Sequence, residues 1–223
     1  MRKIANLTLD SPLILAPMAG ITNMAFRSIC IEHGASMVYA EMVSDKGLLY
    51  NNNKTISMLR VSPNEHPIAM QLFGSSVETL TEAAKIVEQE CDCDIIDINM
   101  GCPVNKVIKS GSGSALLKEP QKIFEIIKSL KETIKKPISI KIRAGWDHDS
   151  INCDEVVRLA ESAGVDAIAI HARTRSMMYR GNANIEFIKK ARSATNCFLI
   201  GNGDISTTED VKRYLEMGCD AVM

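Results

Sequence analysis

Gly164-Val165-Asp166-Ala167-Ile168 ends one pattern and starts another: an apolar-periodic helix stops at the glycine and a strand begins at the alanine. The same device recurs as Gly218-Cys219-Asp220-Ala221-Val222, and in looser form as Gly34-Ala35-Ser36-Met37-Val38 and Cys93-Asp94-Ile95-Ile96. Glycine supplies the left-handed backbone that closes a helix, so each copy reads as a helix-to-strand turn. A turn that recurs in this way marks a repeated supersecondary unit.

Outward from these turns, short β-branched runs alternate with segments of 3.6-residue apolar period. Strands are expected at Leu13–Ala16, Met37–Ala40, Ile68–Leu72, Ile95–Asn99, Ile138–Arg143, Ala167–His171, Phe198–Gly201 and from Ala221 onward. The clearest helix runs from Pro120 to Lys135 and gathers Ile123, Phe124, Ile126, Ile127, Leu130 and Ile134 on one side. Pro120 suits its first turn, and Pro137 marks its end. A capping box of Ser75 with Glu78 opens another helix, and Ser206 offers a cap further on. Strands alternating with helices imply right-handed βαβ units and a parallel sheet. Eight of them define an α/β chain folded as a (β/α)8 TIM barrel rather than an open doubly wound sheet. No linker or low-complexity tract interrupts residues 1–223, so one domain is expected. The sequence reaches Met223 inside the eighth strand, so the barrel reads as incomplete there, with the eighth helix absent and the sheet between strands seven and one partly unpaired.

Composition agrees with a packed enzyme-sized domain. The 223 residues are 46% apolar and 24% charged, with a formal net charge of −1, which excludes a disordered chain. No apolar run approaches the ~20 residues of a membrane span, and no secretory signal is visible, so a cytoplasmic protein without membrane contact is expected. Seven scattered cysteines suggest reduced thiols. No Cys-x-x-Cys pair occurs and the four histidines lie far apart, so no metal site is expected. The balanced charge gives no hint of nucleic acid, yet it leaves room for a local basic face.

In a barrel of this kind the chemistry sits at the C-terminal ends of the strands. Those ends carry Ala16-Pro17-Met18, Glu41, Gln71, Asn99 followed by Cys102, Lys141 with Arg143, His171 with Arg173, and Asn202-Gly203-Asp204. Singly, each has an ordinary structural reading: a turn, a paired strand-end charge, a core histidine. Together they form a polar set at one end of the barrel. Cys102 stands out, because Gly101 permits a tight bend after an apolar strand and Pro103 stiffens the exit, turning the thiol to the barrel mouth. No histidine or aspartate stands at hydrolase-like spacing, and an ordinary thiol is protonated at neutral pH, so it can act as a general acid. The other six cysteines read as core. Lys109-Ser110-Gly111-Ser112-Gly113-Ser114 lacks phosphate-loop spacing and reads as a mobile loop beside the site.

Taken in order, these residues resemble the tRNA-dihydrouridine synthases, specifically the bacterial B-type branch of these flavin enzymes. The resemblance rests on Leu15-Ala16-Pro17-Met18-Ala19-Gly20, Gln71-Leu72-Phe73-Gly74, Asp97-Ile98-Asn99-Met100-Gly101-Cys102-Pro103, Gly113-Ser114-Ala115-Leu116-Leu117, Lys141-Ile142-Arg143, His171-Ala172-Arg173-Thr174 and Gly201-Asn202-Gly203-Asp204. It implies flavin mononucleotide (FMN) across the barrel mouth, with Ala16, Pro17 and Met18 beside the ring and Gln71 bonded to it. Lys141 would face the pyrimidine side, and His171 with Asn202, Gly203 and Asp204 would approach the ribityl phosphate. Asn99 and Arg143, with Arg173, would bind substrate. NADPH or NADH would reduce the flavin, hydride would pass to uracil carbon 6, and Cys102 would protonate carbon 5. The tRNA uridine must leave its stack to reach the flavin. The family continues past a position like Met223 into a phosphate contact and a helical tRNA-binding domain, both absent here, and its full-length members imply a monomer. Lys106, Lys109, Arg173, Arg175 and Arg180 could form a basic rim or simply a solvated surface. Other readings are a dihydroorotate dehydrogenase-like flavin barrel, a non-catalytic RNA-binding paralogue and an inactive fragment. The joint presence of Asn99, Cys102 and Lys141 weighs against a paralogue that has lost catalysis.

Overall fold

The aspartate of the repeated turn ties each new strand to the one before it. In the computed structural model, which describes residues 2–223, Asp166 Oδ2 accepts from the backbone N–H of Ile138 at 2.8 Å, and the Asp166 N–H donates to the Ile138 carbonyl at 2.8 Å. Asp94 makes the same pair with Ile68, at 2.7 and 2.9 Å. Asp220 makes it with Leu199, at 2.8 Å for both bonds. Each carboxylate also holds a nearby cation or imidazole: Lys131 at 2.7 Å, His66 at 2.8 Å and Arg192 at 3.3 Å respectively. Two bonds to a residue at the start of the neighbouring strand (the first of Ile138–Arg143 and of Ile68–Phe73, the second of Phe198–Asn202) fix the register, and a slip of one residue would turn every side chain to the wrong face. Gly34, Gly164 and Gly218 take positive φ of 95°, 90° and 97°, as helix-ending glycines should.

The elements follow the expected alternation. A hairpin of β1 (Arg2–Ile4) and β2 (Leu7–Leu9) precedes the barrel. The barrel strands are β3 (Ile14–Leu15), β4 (Met37–Tyr39), β6 (Ile68–Phe73), β7 (Ile95–Met100), β8 (Ile138–Arg143), β9 (Ala167–His171), β10 (Phe198–Asn202) and β11 (Ala221–Val222). They are all parallel and stand in chain order, with a short β5 (Val43–Ser44) added beside β6. Between them lie α1 (Met24–Glu32), α2 (Asp45–Leu49), α3 (Asn53–Ser57), α4 (Val77–Glu90), α5 (Asn105–Ile108), α6 (Pro120–Thr133), α7 (Cys153–Ser162), α8 (Glu186–Arg192) and α9 (Thr208–Glu216). This is an α/β fold, a (β/α)8 barrel. It is nearly closed but incomplete at strand eight, and the sheet between strands seven and one is only partly paired, as expected. Strand β11, only two residues long, pairs with β10 through Ile200 and Gly201, and Val222 bridges to Leu13, its N–H donating to the Pro12 carbonyl at 2.8 Å.

Side chains alternate strictly between two cores. Ile68, Met70, Leu72, Ile96, Ile98, Ile138, Ile140, Ile168 and Ile170 face the helices. Ile14, Met37, Tyr39, Ala69, Ile95, Ala167, Ala169 and Ile200 fill the lumen, where Ile4 and Leu9 of the hairpin join them as a plug. Small residues on β9 leave room for Tyr39, whose ring is wholly buried. Above the plug the lumen turns polar.

Both expected helix caps move by one residue. Ser76, not Ser75, caps α4 by accepting from the Thr79 N–H at 3.4 Å, while the Ser75 hydroxyl donates to the Ser110 carbonyl at 2.8 Å. Thr207, not Ser206, caps α9 in a reciprocal box with Asp210. Ser76→Ala should therefore cost about 1 kcal/mol in urea unfolding and Ser75→Ala less than about 0.5. Equal losses would show that the cap is misplaced. Among the described residues no helix is long and apolar enough to cross a membrane.

Candidate active site

At the C-terminal end of the strands opens a cavity of about 480 Å³, within the usual range for small-molecule sites. It is lined by Ala16, Pro17 and Met18 from the loop after β3, Gln71 from β6, Asn99, Gly101, Cys102, Pro103 and Val104 at the end of β7, Lys141 and Arg143 from β8, His171 from β9 and Asn202 from β10. Ala19, Ile21, Met42 and Tyr179 complete the wall. Ten of the thirteen residues expected in the site therefore border one space.

The other three do not. Arg173, Gly203 and Asp204 stand behind the wall and form a brace. The Arg173 guanidinium donates to Asp204 Oδ2 at 2.7 Å and to the Gly181 carbonyl at 2.6 Å, and is almost wholly buried. Asp204 also accepts from the Ala183 N–H at 2.7 Å. Gly203 has φ of 121°, and a Cβ there would lie 3.0 Å from that of Ala183 and 3.4 Å from the His171 ring. Arg173 thus leaves the basic rim, and Arg175 does too, stacked half-buried against Trp146 with its guanidinium carbon 4.5 Å from the ring centre. Lys106, Lys109 and Arg180 remain exposed.

The loop after β3 is held by the side chains of Thr22 and Arg27. Thr22 Oγ1 lies 3.1 Å from both the N–H and the carbonyl of Met18, and Arg27 donates to the Thr22 carbonyl at 2.7 Å. Arg27 is in turn paired with the fully buried Glu65 at 2.8 Å. The wall formed by Ala16, Pro17 and Met18 therefore hangs on a buried ion pair whose breakage would leave a charge uncompensated.

Cys102 is carried by an equally fixed loop. Asn99 Oδ1 accepts from the N–H groups of Gly101 and Cys102, at 3.2 and 2.9 Å. Gly101 has no positive φ; it is needed because a Cβ would sit 3.2 Å from the Lys141 carbonyl and from the Ile142 carbonyl carbon. The stretch 109–114, expected to be mobile, is instead a buttress for this loop. Ser114 donates to the Cys102 carbonyl from both its N–H, at 3.1 Å, and its hydroxyl, at 2.9 Å, and Gly113 packs where a Cβ would meet that carbonyl at 2.8 Å. Three serines and two glycines in six residues look flexible, but here they serve close approach.

Electrostatics in the cavity follow from cations gathered in little solvent. Burial first, then the neighbouring Arg143, pulls the Lys141 ammonium down to about 8, while Asp97 and Cys102 oppose this. Its Nζ donates to Asn202 Oδ1 at 2.8 Å. Burial and the charges of Lys141, Arg143 and Arg173 push His171 down to about 2, so its imidazole is neutral, and its buried Nδ1 has no partner. Burial raises the Cys102 thiol above its ordinary range, against a backbone N–H and the charges of Arg143 and Lys141. At neutral pH the site therefore holds a protonated thiol, a neutral imidazole and cationic Lys141 and Arg143. The other six cysteines are free and away from the cavity, with Cys30 and Cys197 half-buried rather than in the core.

Sequence reasoning missed Tyr179, whose ring lies 5.4 Å from the Arg143 guanidinium carbon and edge-on to His171. It also gave no role to Asp97, although the alternation that turns Asn99 inward turns Asp97 inward as well.

A parallel barrel with its ligand cavity at the strand ends, lined by a loop cysteine and strand-end cations, defines a class of barrel oxidoreductases and related enzymes rather than one activity. Comparison narrows it. The model of the family described as dihydrouridine synthase (Dus) matches residues 14–223, and the chain belongs to this family. It is 41% identical over 223 residues to the tRNA-dihydrouridine synthase B of Vibrio vulnificus, covering 99% of this chain and 69% of that protein. It is 40% identical to the protein of the same name in Pseudomonas aeruginosa, covering 99% and 67%. A probable tRNA-dihydrouridine synthase of Rhizobium leguminosarum is 39% identical over 212 residues, covering 95% and 66%.

Proposed function

We propose that this chain reduces uridine in tRNA to 5,6-dihydrouridine, using FMN in the cavity and NADPH or NADH as the reductant. The observation that carries the reading is the meeting of Cys102, its thiol held protonated, with Asn99, Lys141 and Arg143 around one cavity in a chain of this family. The names of the relatives support tRNA as the substrate.

The donor set fits FMN. His171 offers a buried Nδ1 with nothing bonded to it, and Lys141 and Arg143 supply positive charge in a site of little solvent. Ala16, Pro17 and Met18 give an apolar wall for a flat ring. Gln71, Lys141, His171 and Asn202 would hold the cofactor, with Gly203 and Asp204 bracing it from behind; Asn99 and Arg143 would hold the uracil. Bound there, FMN would supply the hydride for uracil carbon 6. The protein's part is to exclude water, hold the two rings and deliver a proton to carbon 5 from the Cys102 sulfur. Arg143 is fixed for this by donating to the carbonyls of Gly101, Thr174 and Met178, at 2.9, 3.0 and 2.7 Å. Arg173, bonded to Asp204 and the Gly181 carbonyl behind the wall, would act on substrate only through that brace.

Two measurements test the reading. The purified protein should be yellow or take up added FMN with tight, saturable binding; a colourless protein that takes up none would refute it. Mass spectrometry of tRNA from cells with and without the gene should show dihydrouridine lost at one or more positions in its absence. An unchanged tRNA pool would reject the substrate.

A further inference from the structure

We propose that Asp97, with Ser139 behind it, is a positioning residue that sets the direction of a buried chain of side-chain amides and thereby holds the loop carrying Cys102. The chain is continuous from the lumen to the mouth. Tyr39 Oη lies 3.5 Å from Ser139 Oγ, and Ser139 donates to Asp97 Oδ1 at 2.6 Å. Gln71 Nε2 donates to Asp97 Oδ2 at 2.7 Å, and Asn99 Nδ2 donates to Gln71 Oε1 at 2.9 Å. Asn99 Oδ1 then accepts from Gly101 and Cys102, at 3.2 and 2.9 Å.

An amide has a donor end and an acceptor end, so its neighbours choose which way it faces. Left alone, Gln71 and Asn99 could each turn over with little change in shape. Asp97 settles the matter, because a carboxylate accepts and leaves only the N–H end of Gln71 to meet it. Gln71 then turns its oxygen to Asn99, and Asn99 turns its oxygen to the loop. Reversal at Asp97 would set the Asn99 NH2 against two backbone N–H donors, and the loop would lose both anchors. All three polar side chains are buried, so a mismatch costs the full desolvation of the unpaired groups. The direction also decides what Asn99 offers the cavity. Its oxygen is committed twice, so its spare valence is an N–H, which suits a carbonyl oxygen such as those of uracil. That last consequence rests on the function proposed above; the positioning role does not.

Three variants test it: Asp97→Asn, Ser139→Ala and the pair together. In D97N the new amide can still accept from Gln71 while giving its N–H to Ser139. In S139A the carboxylate is untouched. Only in the double variant does the new N–H lose the Ser139 hydroxyl as its acceptor, so the amide is no longer held with its oxygen toward Gln71 and the reversed direction becomes accessible. The readout is the rate at which iodoacetamide alkylates Cys102 in flavin-free protein at about pH 7.5, followed by peptide mass spectrometry with thermal melting as the fold control. Released, the loop exposes its thiol. We expect each single variant within about twofold of wild type and the double variant about tenfold faster, a non-additive pair. A folded double variant whose rate is the product of the singles overturns the proposal. Should the double variant not fold, hydrogen exchange in the wild-type protein decides: the Gly101 and Cys102 amides should be protected like those inside β7, and exchange at the rate of an open loop overturns it. Neither readout needs flavin or RNA, so failure of the enzymatic reading and failure of this one are separable.

Discussion

Cys102→Ala should leave FMN binding and nicotinamide oxidation near wild type while dihydrouridine formation falls by about 10²- to 10⁴-fold, the usual cost of losing a positioned general acid. The reasoning begins with the loop. Two N–H groups fixed to Asn99 and a carbonyl fixed to Ser114 leave the Cys102 backbone little freedom, so its side chain has a defined place at the mouth. Burial then raises the thiol, which favours a proton carrier over a nucleophile at neutral pH. Cys102→Ser keeps the shape but offers a far weaker acid, so it should remain slow. Alanine at Cys91, Cys93, Cys153 or Cys219 should lower the melting temperature without touching the reaction, since these side chains are buried away from the cavity. The measurement is single-turnover formation of dihydrouridine alongside steady-state NADPH oxidation. If C102A forms product at the normal rate, the proton comes from elsewhere.

How far the sequence reveals this site depends on the distance over which each feature is decided. Strands β8 and β9 are legible residue for residue, because their apolar runs are bounded by Pro137 and Asp166 and end in charged or imidazole groups. Ala16, Gln71, Asn99, Cys102, Lys141 and His171 are legible as a set because parallel βα units place every strand end at the same rim. The caps are less so: Ser75 and Ser76 both satisfy the local pattern, and the choice falls to the distant Ser110 carbonyl that takes Ser75. Arg173 and Asp204 each look like ligand groups, yet they meet one another across 31 positions, a pairing no local pattern contains. That the barrel is left incomplete at strand eight is legible, but the one bridge that brings Val222 to Pro12 and Leu13 is not announced by a two-residue strand. The lumen is the sharpest case. Asp97 in an isoleucine-rich strand reads as an oddity until Asn99 two residues on, and Gln71 and Ser139 on the neighbouring strands, are seen beside it.

Lys141→Met is expected to lower kcat/KM for dihydrouridine formation by about 10²- to 10³-fold, the scale for removing a charge that stabilises developing negative charge in a site of little water. The pH dependence gives the stronger test. Lys141 is cationic below about 8 and neutral above it, because burial and Arg143 both disfavour its proton. If the ammonium is the working form, kcat/KM should be level from about pH 6 to 7.5 and then fall tenfold per unit as pH rises through 8. The neighbouring thiol is shifted the other way, upward, so its own loss of a proton lies at higher pH and does not set this limb. In Lys141→Met the limb near 8 should vanish, leaving a low, flat profile until the thiol ionises. Lys141→Arg separates charge from proton transfer: a guanidinium keeps its charge across the whole range, so the limb should vanish while part of the rate returns. His171 contributes nothing in this window, since it is already neutral far below pH 6. A Lys141→Met profile that still breaks near pH 8 would assign the limb to another group and remove Lys141 from the reaction.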